Sequence, residues 1–196
     1  MINFEKVIKS GKHISSDEYD FLYDKFENLG IKARKLEFLQ TYDFIDENND
    51  FKSGEYEKFL DTLKEFHKNA WGGKDNMRRI HYVEYPLNDY LKMEYYTYLI
   101  NDFYGQKIRV TNNRKLFPKK TYDFILFENG NLFILDFGNN DSFKGVWHVT
   151  ESEIIHEVSL WYDNVFEKCK SFKKMLVANK KILNKMKQFG LINDNK

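Results

Sequence analysis

The chain has 196 residues, with 31 Lys and Arg against 30 Asp and Glu, 42% hydrophobic and 17% aromatic side chains. That size suits one core-burying domain with or without an appendage, and the apolar content excludes a disordered chain. The net charge of +1 excludes a uniformly basic polyanion binder, and the single Cys169 excludes an internal disulfide or a Cys-based structural zinc.

The near-neutral sum conceals alternating blocks. Residues 14–66 carry 7 basic and 14 acidic side chains, and residues 67–120 carry 11 and 5. Residues 121–163 carry 1 and 8, and residues 164–196 carry 9 and 2. Such segregation marks candidate interaction surfaces.

In chain order, Ser15-x-x-Glu18 has capping-box spacing, and Tyr19, Leu22, Tyr23 and Phe26 follow at helical intervals up to Gly30. Residues 41–53 read as a polar loop. A second helix is expected over 55–70, with Phe59, Leu63 and Phe66 on one face. Residues 78–85 read as a strand. Pro86 then suits the first position of a helix that carries Leu87, Tyr90, Leu91, Tyr95, Tyr98 and Leu99 in a broad apolar stripe to Gly105. Residues 106–111 form a short strand. Residues 122–127 and 132–137 flank Asn129-Gly130, a hairpin signal, and 145–149 add a strand. Thr150-x-x-Glu153 is a second capping-box spacing, opening a helix to about residue 172. A lysine-rich helix is expected over 173–189.

The fold class expected is α+β: a small, mostly antiparallel sheet packed with several helices, and a basic C-terminal helix. The domain reading is a single unit over 1–172 and a basic extension over 173–196. No run of 18 apolar residues occurs, and residues 1–6 lack a signal-peptide pattern, so a cytoplasmic protein without a transmembrane segment is expected.

The run Arg79-Ile80-His81-Tyr82-Val83-Glu84-Tyr85-Pro86-Leu87-Asn88-Asp89-Tyr90, with Glu94, is followed by Gly105-Gln106-Lys107-Ile108-Arg109 and then Asp123-Phe124. Upstream stand Ala33-Arg34-Lys35-Leu36-Glu37, Tyr42 and Asp46-Glu47. Over about residues 25–172 this set resembles a bacterial domain-of-unknown-function family, family 6879. Asn88 stands where that family usually has serine, and Gln106 where it usually has an acid. The resemblance implies no chemistry. Members often lie near helix-turn-helix regulators, which implies a regulatory or mobile-element setting.

Glu94 falls inside the apolar stripe, four residues after Tyr90 and four before Tyr98. A carboxylate there needs a cationic partner or a shifted pKa, and Arg79 and Arg109 on the flanking strands are the candidates. The arrangement reads either as a buried ion pair fixing helix-to-sheet register or as a pocket lined by Arg79, Tyr90, Glu94, Arg109 and Asp123. Asp123 reads as a strand residue accepting backbone or arginine bonds. Paired with Asp136 it invites a metal-nuclease guess, but no Glu-x-Lys companion follows. The five histidines share no metal-ligand spacing, and no phosphate-binding glycine loop occurs. No catalytic residue, metal or cofactor is assigned.

Lys173, Lys174, Lys180, Lys181, Lys185 and Lys187 surround Phe172, Leu176, Leu183, Met186 and Phe189. An all-lysine set suits diffuse attraction to phosphates or an acidic protein better than base-edge readout. The expectation is a non-enzymatic regulatory or inhibitory protein of bacterial or phage type. It would bind a protein or ribonucleoprotein, such as a host nucleic-acid-processing machine, with nucleic-acid backbone contact through the basic helix. The alternatives are a small-ligand sensor around Arg79, Glu94 and Arg109, or a nucleic-acid-directed enzyme.

Overall fold

Alternating apolar residues on successive short strands build one sheet whose two faces are each covered by helices. The computed structural model describes residues 1–40, 76–138 and 142–174, with isolated positions 58, 61, 62, 65 and 184. Its elements are α1 (Phe4–Lys9), β1 (Lys12–Ile14), α2 (Ser16–Asn28), β2 (Ala33–Glu37), β3 (Met77–Tyr82), α3 (Asp89–Phe103), β4 (Lys107–Thr111), β5 (Phe124–Phe127), β6 (Asn131–Asp136), β7 (Gly145–Val149), α4 (Ser152–Lys168) and β8 (Lys170–Ser171). The eight strands run in the order β1-β7-β6-β5-β2-β3-β4-β8. Among the described strands, only the β2–β3 and β3–β4 pairs are parallel; the other five are antiparallel. The fold class is α+β, as the sequence suggests. The expected helix over 55–70 and the lysine-rich helix over 173–189 fall largely outside the described residues.

The strand period assigns the faces. Leu36, Ile80, Phe124, Leu126, Leu132, Ile134 and Val149 meet α1 and α4 through Phe4, Val7, Val158, Tyr162 and Phe166. The opposite face has two apolar clusters. Ala33, Met77, Ile125, Phe127 and Phe133 pack under Phe26 of α2, and Ile108 and Val110 pack under α3. Between them, β2 and β3 place Lys35, Glu37, Arg79 and His81, so a polar seam divides this side of the core.

Several local expectations hold. Ser15 caps α2 by accepting from Glu18 N at 3.3 Å. Asn129-Gly130 turns the β5–β6 hairpin, with Gly130 at φ 85°, where glycine is favoured. Gly145 lets β1 approach β7 closely, since a Cβ there would lie 2.2 Å from the Ile14 carbonyl.

Others differ. Pro86 does not open the helix; the Tyr85–Pro86 bond is cis and α3 begins at Asp89. Asn88 is its cap, accepting from Leu91 N at 2.8 Å. The Thr150–Glu153 capping box does not form, because Glu151 is the cap residue of α4 and makes no side-chain cap bond. The helix expected to run to residue 172 stops at Lys168. Cys169 turns extended and β8 pairs with the free edge of β4, satisfying backbone groups that an open edge would leave unpaired. This crossing delivers Phe172 to the α3 side, edge-on to Tyr95 and Tyr98 at 5.2 and 5.5 Å. No described helix is long and apolar enough to cross a membrane.

Candidate functional site

The polar seam arises from strand register. Parallel pairing sets Lys35 beside Arg79 and Glu37 beside His81, with all four side chains on the α3 side. Glu37 is 2% exposed and Arg79 8%. Arg79 donates through Nη1 to both Glu37 oxygens, at 3.1 and 3.0 Å. Lys35 Nζ lies 2.7 Å from the same carboxylate. From α3, the Tyr98 hydroxyl donates to Glu37 at 2.9 Å. His81 faces the Tyr98 hydroxyl through Nδ1 and lies 3.4 Å from the Leu39 carbonyl through Nε2. Glu94, on the turn of α3 before Tyr98, stands 3.9 Å from Arg79 Nη1 and is hydrogen-bonded by Tyr90.

Two buried carboxylates thus share one arginine unequally. Burial would raise Glu37, but Arg79 and Lys35 hold it well below the usual carboxylate range. Glu94 has the weaker hold on Arg79. Burial, and the Glu37 charge next to it, push it up to about 7. Burial lowers His81 to about 4 despite the attraction of Glu37, so its ring is neutral near neutral pH. Tyr90 and Tyr98 are raised far above the usual phenol range, first by burial and then by the two glutamates. The cluster can therefore hold one exchangeable proton, on Glu94, beside a fixed Glu37–Arg79 pair.

Glu37, His81 and Glu94 present ligand atoms within 4.8 Å of one another, a metal-like grouping. The donor set does not fit a divalent cation. Arg79 and Lys35 already engage both Glu37 oxygens, and a third positive centre would be repelled by them.

The structure brings together Arg79, Tyr90 and Glu94 but not the other expected pocket residues. Arg109 points to the opposite face, where Nη1 donates to the Cys169 carbonyl at 3.0 Å and the guanidinium lies 4.9 Å from the Phe166 ring. The alternation of β4 decides this, because Ile108 and Val110 take the α3 side. Asp123 precedes β5 and accepts from Phe38 N at 2.8 Å and Leu39 N at 3.2 Å, bracing the chain where it leaves β2. Asp136 is engaged by His13 at 3.2 Å and caps Gly138 N at 3.0 Å. Lys173 reaches Asp102 of α3 at 2.7 Å, Lys174 is exposed, and Lys180, Lys181, Lys185 and Lys187 lie outside the described residues. Sequence reasoning missed Lys35, Glu37 and Tyr98 as members of the cluster. The signal was present: Lys35 and Glu37 alternate on one face of a strand, as Arg79 and His81 do.

The seam, the Arg79-led strand and the Asn88-capped helix all lie within residues 20–176, the span matched by the family model described as a domain of unknown function, DUF6879. The chain belongs to that family. No curated protein and no solved structure matches it. The match spans the stretch that carries the sequence resemblance. It also takes in most of α2 and all of β8, so the strand that closes the sheet edge falls within the DUF6879 unit.

Proposed function

We propose that this DUF6879 protein is a regulatory binding protein that engages an acidic macromolecular partner through its lysine-rich C-terminal segment. The observation that carries this reading is how that segment is rooted. β8 pairs with the edge of β4, Phe172 is buried against α3, and Lys173 is tied to Asp102, so the lysines that follow leave from a fixed point on the fold. Exposed Lys107, Lys168, Lys170 and Lys174 belong to the same edge and its flanks. A basic edge leading into a lysine-only segment suits an acidic protein surface or a ribonucleoprotein, as in a host nucleic-acid-processing machine. The test is affinity purification from the native host with the full chain and with a chain ending at residue 172. Recovery of a partner by the full chain alone, weakened by added salt, supports the reading. Equal recovery by both chains sinks it.

A second reading, a small-ligand sensor at Arg79 and Glu94, is favoured by one observation: the buried Nε of Arg79 has no acceptor among the described residues. Thermal stabilisation by a small carboxylate or phosphate, lost in Arg79→Lys, would support it. No stabilisation across such a panel would remove it.

A further inference from the structure

The second face of the sheet carries a charged constellation distinct from the buried seam. Arg34, Arg78 and Arg109 come from β2, β3 and β4 and face α4. Arg34 and Arg78 converge on Asp163, with Arg34 Nε at 3.2 Å and Arg78 Nη1 at 2.8 Å from the same oxygen. Arg78 and Arg109 both lie over the buried Phe166 ring, at 4.2 and 4.9 Å. Each is fixed through Nη1, Arg78 to Asp163 and Arg109 to the Cys169 carbonyl at 3.0 Å. Each offers Nη2 to one oxygen of Glu167, at 4.0 Å from Arg78 and 3.9 Å from Arg109.

Those two separations are too long for hydrogen bonds. Glu167 is 70% exposed, against 28% for Arg78 and 31% for Arg109. An ion pair so exposed contributes little and is easily displaced. The carboxylate therefore marks where an oxyanion sits without filling the position well. Exposed Lys107 pairs directly opposite Arg78 on β4 and faces the same side. With Glu167 turned away, Arg78 and Arg109 each have an Nη2 to offer an anion, with Lys107 on the same side.

We propose that Arg78 and Arg109, seated on Phe166 with Glu167 as a displaceable placeholder, bind a phosphate group. Two guanidiniums pre-set on an aromatic ring lose little freedom on binding, and their fork geometry matches a tetrahedral oxyanion that accepts from both. The phosphate belongs either to a free phosphorylated compound or to a nucleic-acid backbone; the chemistry recognised is the same. The site borders the β4–β8 edge but does not depend on the lysine-rich segment, and it needs no partner to be measured.

The test is titration of the full chain with inorganic phosphate, followed by phosphorus NMR and calorimetry, and with a short DNA duplex in parallel. Glu167→Gln removes the competing carboxylate and tightens phosphate binding about fivefold. Arg109→Gln weakens it about tenfold or more, as loss of a charge-assisted bond predicts. Arg109→Lys keeps the charge without the fork, so binding falls between wild type and Arg109→Gln, with the circular dichroism spectrum unchanged in both. Lys25→Gln, on α2 over the opposite face of the sheet, leaves phosphate affinity unaltered. Duplex binding tighter than phosphate and equally sensitive to Arg109→Gln assigns the phosphate to nucleic acid; phosphate binding with no gain for the duplex assigns a free compound. The proposal is overturned if wild type and Glu167→Gln both ignore phosphate at about 50 mM, well above a millimolar dissociation constant, or if Arg109→Gln binds as wild type does. Equal recovery of a partner by the full and truncated chains would sink the reading above and leave these titrations untouched, so the two readings fail separately.

Discussion

Arg78 and Arg79 are adjacent residues on one strand with opposite surroundings. Arg79 turns toward α3, is 8% exposed and locks onto Glu37 with Glu94 nearby. Arg78 turns toward α4, keeps 28% of its side chain exposed and shares Asp163 with Arg34. The strand period sends them apart, and burial then decides what each charge can do. In the buried seam, the Glu37–Arg79 charges are fixed and removing one leaves its partner uncompensated. On the α4 face, charges are screened, exchangeable and open to an incoming anion. Structure is expected to dominate on the first face and binding on the second.

That contrast can be tested by breaking each side in turn. The largest effect is expected from Glu37→Gln, which strands Arg79 and Lys35 in the seam and should lower stability by about 3–5 kcal/mol. Urea denaturation measures it, and a loss no greater than that of a surface substitution would erase the distinction.

Glu94→Gln should act differently, through pH. A folded-state value raised from 4.5 to about 7 means that folded Glu94 keeps a proton the unfolded chain releases in that window. Its contribution to stability therefore falls as pH rises from about 4.5 to 7 and stays lost above, by on the order of 3 kcal/mol. His81, lowered from 6.5 to about 4, has the opposite sign and adds stability as pH rises from about 4 to 6.5. The wild-type profile should be nearly flat where the windows overlap, whereas Glu94→Gln should climb there and exceed wild type above pH 7. Denaturation midpoints across pH 4–9 give the answer; parallel profiles would show that Glu94 ionises normally.

The smallest effect is expected from Asp163→Asn. Asp163 is 39% exposed, so its bonds to Arg34 and Arg78 should contribute about 1 kcal/mol, and less at high salt. The Glu37→Gln loss should persist at high salt. Equal salt sensitivity in both variants would mean that the two faces are not electrostatically distinct.

The sequence made the hairpin around Asn129-Gly130, the Ser15 cap and the placement of Glu94 inside an apolar stripe, where it needs a cationic partner or a shifted pKa, legible, because each depends on residues close together in the chain. Reading Pro86 as a helix start failed because the cap at Asn88 competes with it and supplies the side-chain bond that proline cannot. Arg109 was an equal candidate with Arg79 for Glu94 until sheet register put it on the other face. β8 was invisible for a related reason: a two-residue strand exists only because β4 offers an open edge.

Sequence alone determined the class of fold, the capped helix around Ser15, the hairpin and the gathering of lysine after residue 163. These follow from periodicity, cap chemistry and charge order, which are local properties. Tertiary structure alone decided that Glu37 rather than Glu94 holds Arg79 most tightly, and that Arg78 and Arg109 meet over Phe166. Lys35 and Arg79 lie far apart in the chain but side by side in the sheet. The energy of a buried charge depends on the neighbours that register supplies, which no local pattern encodes.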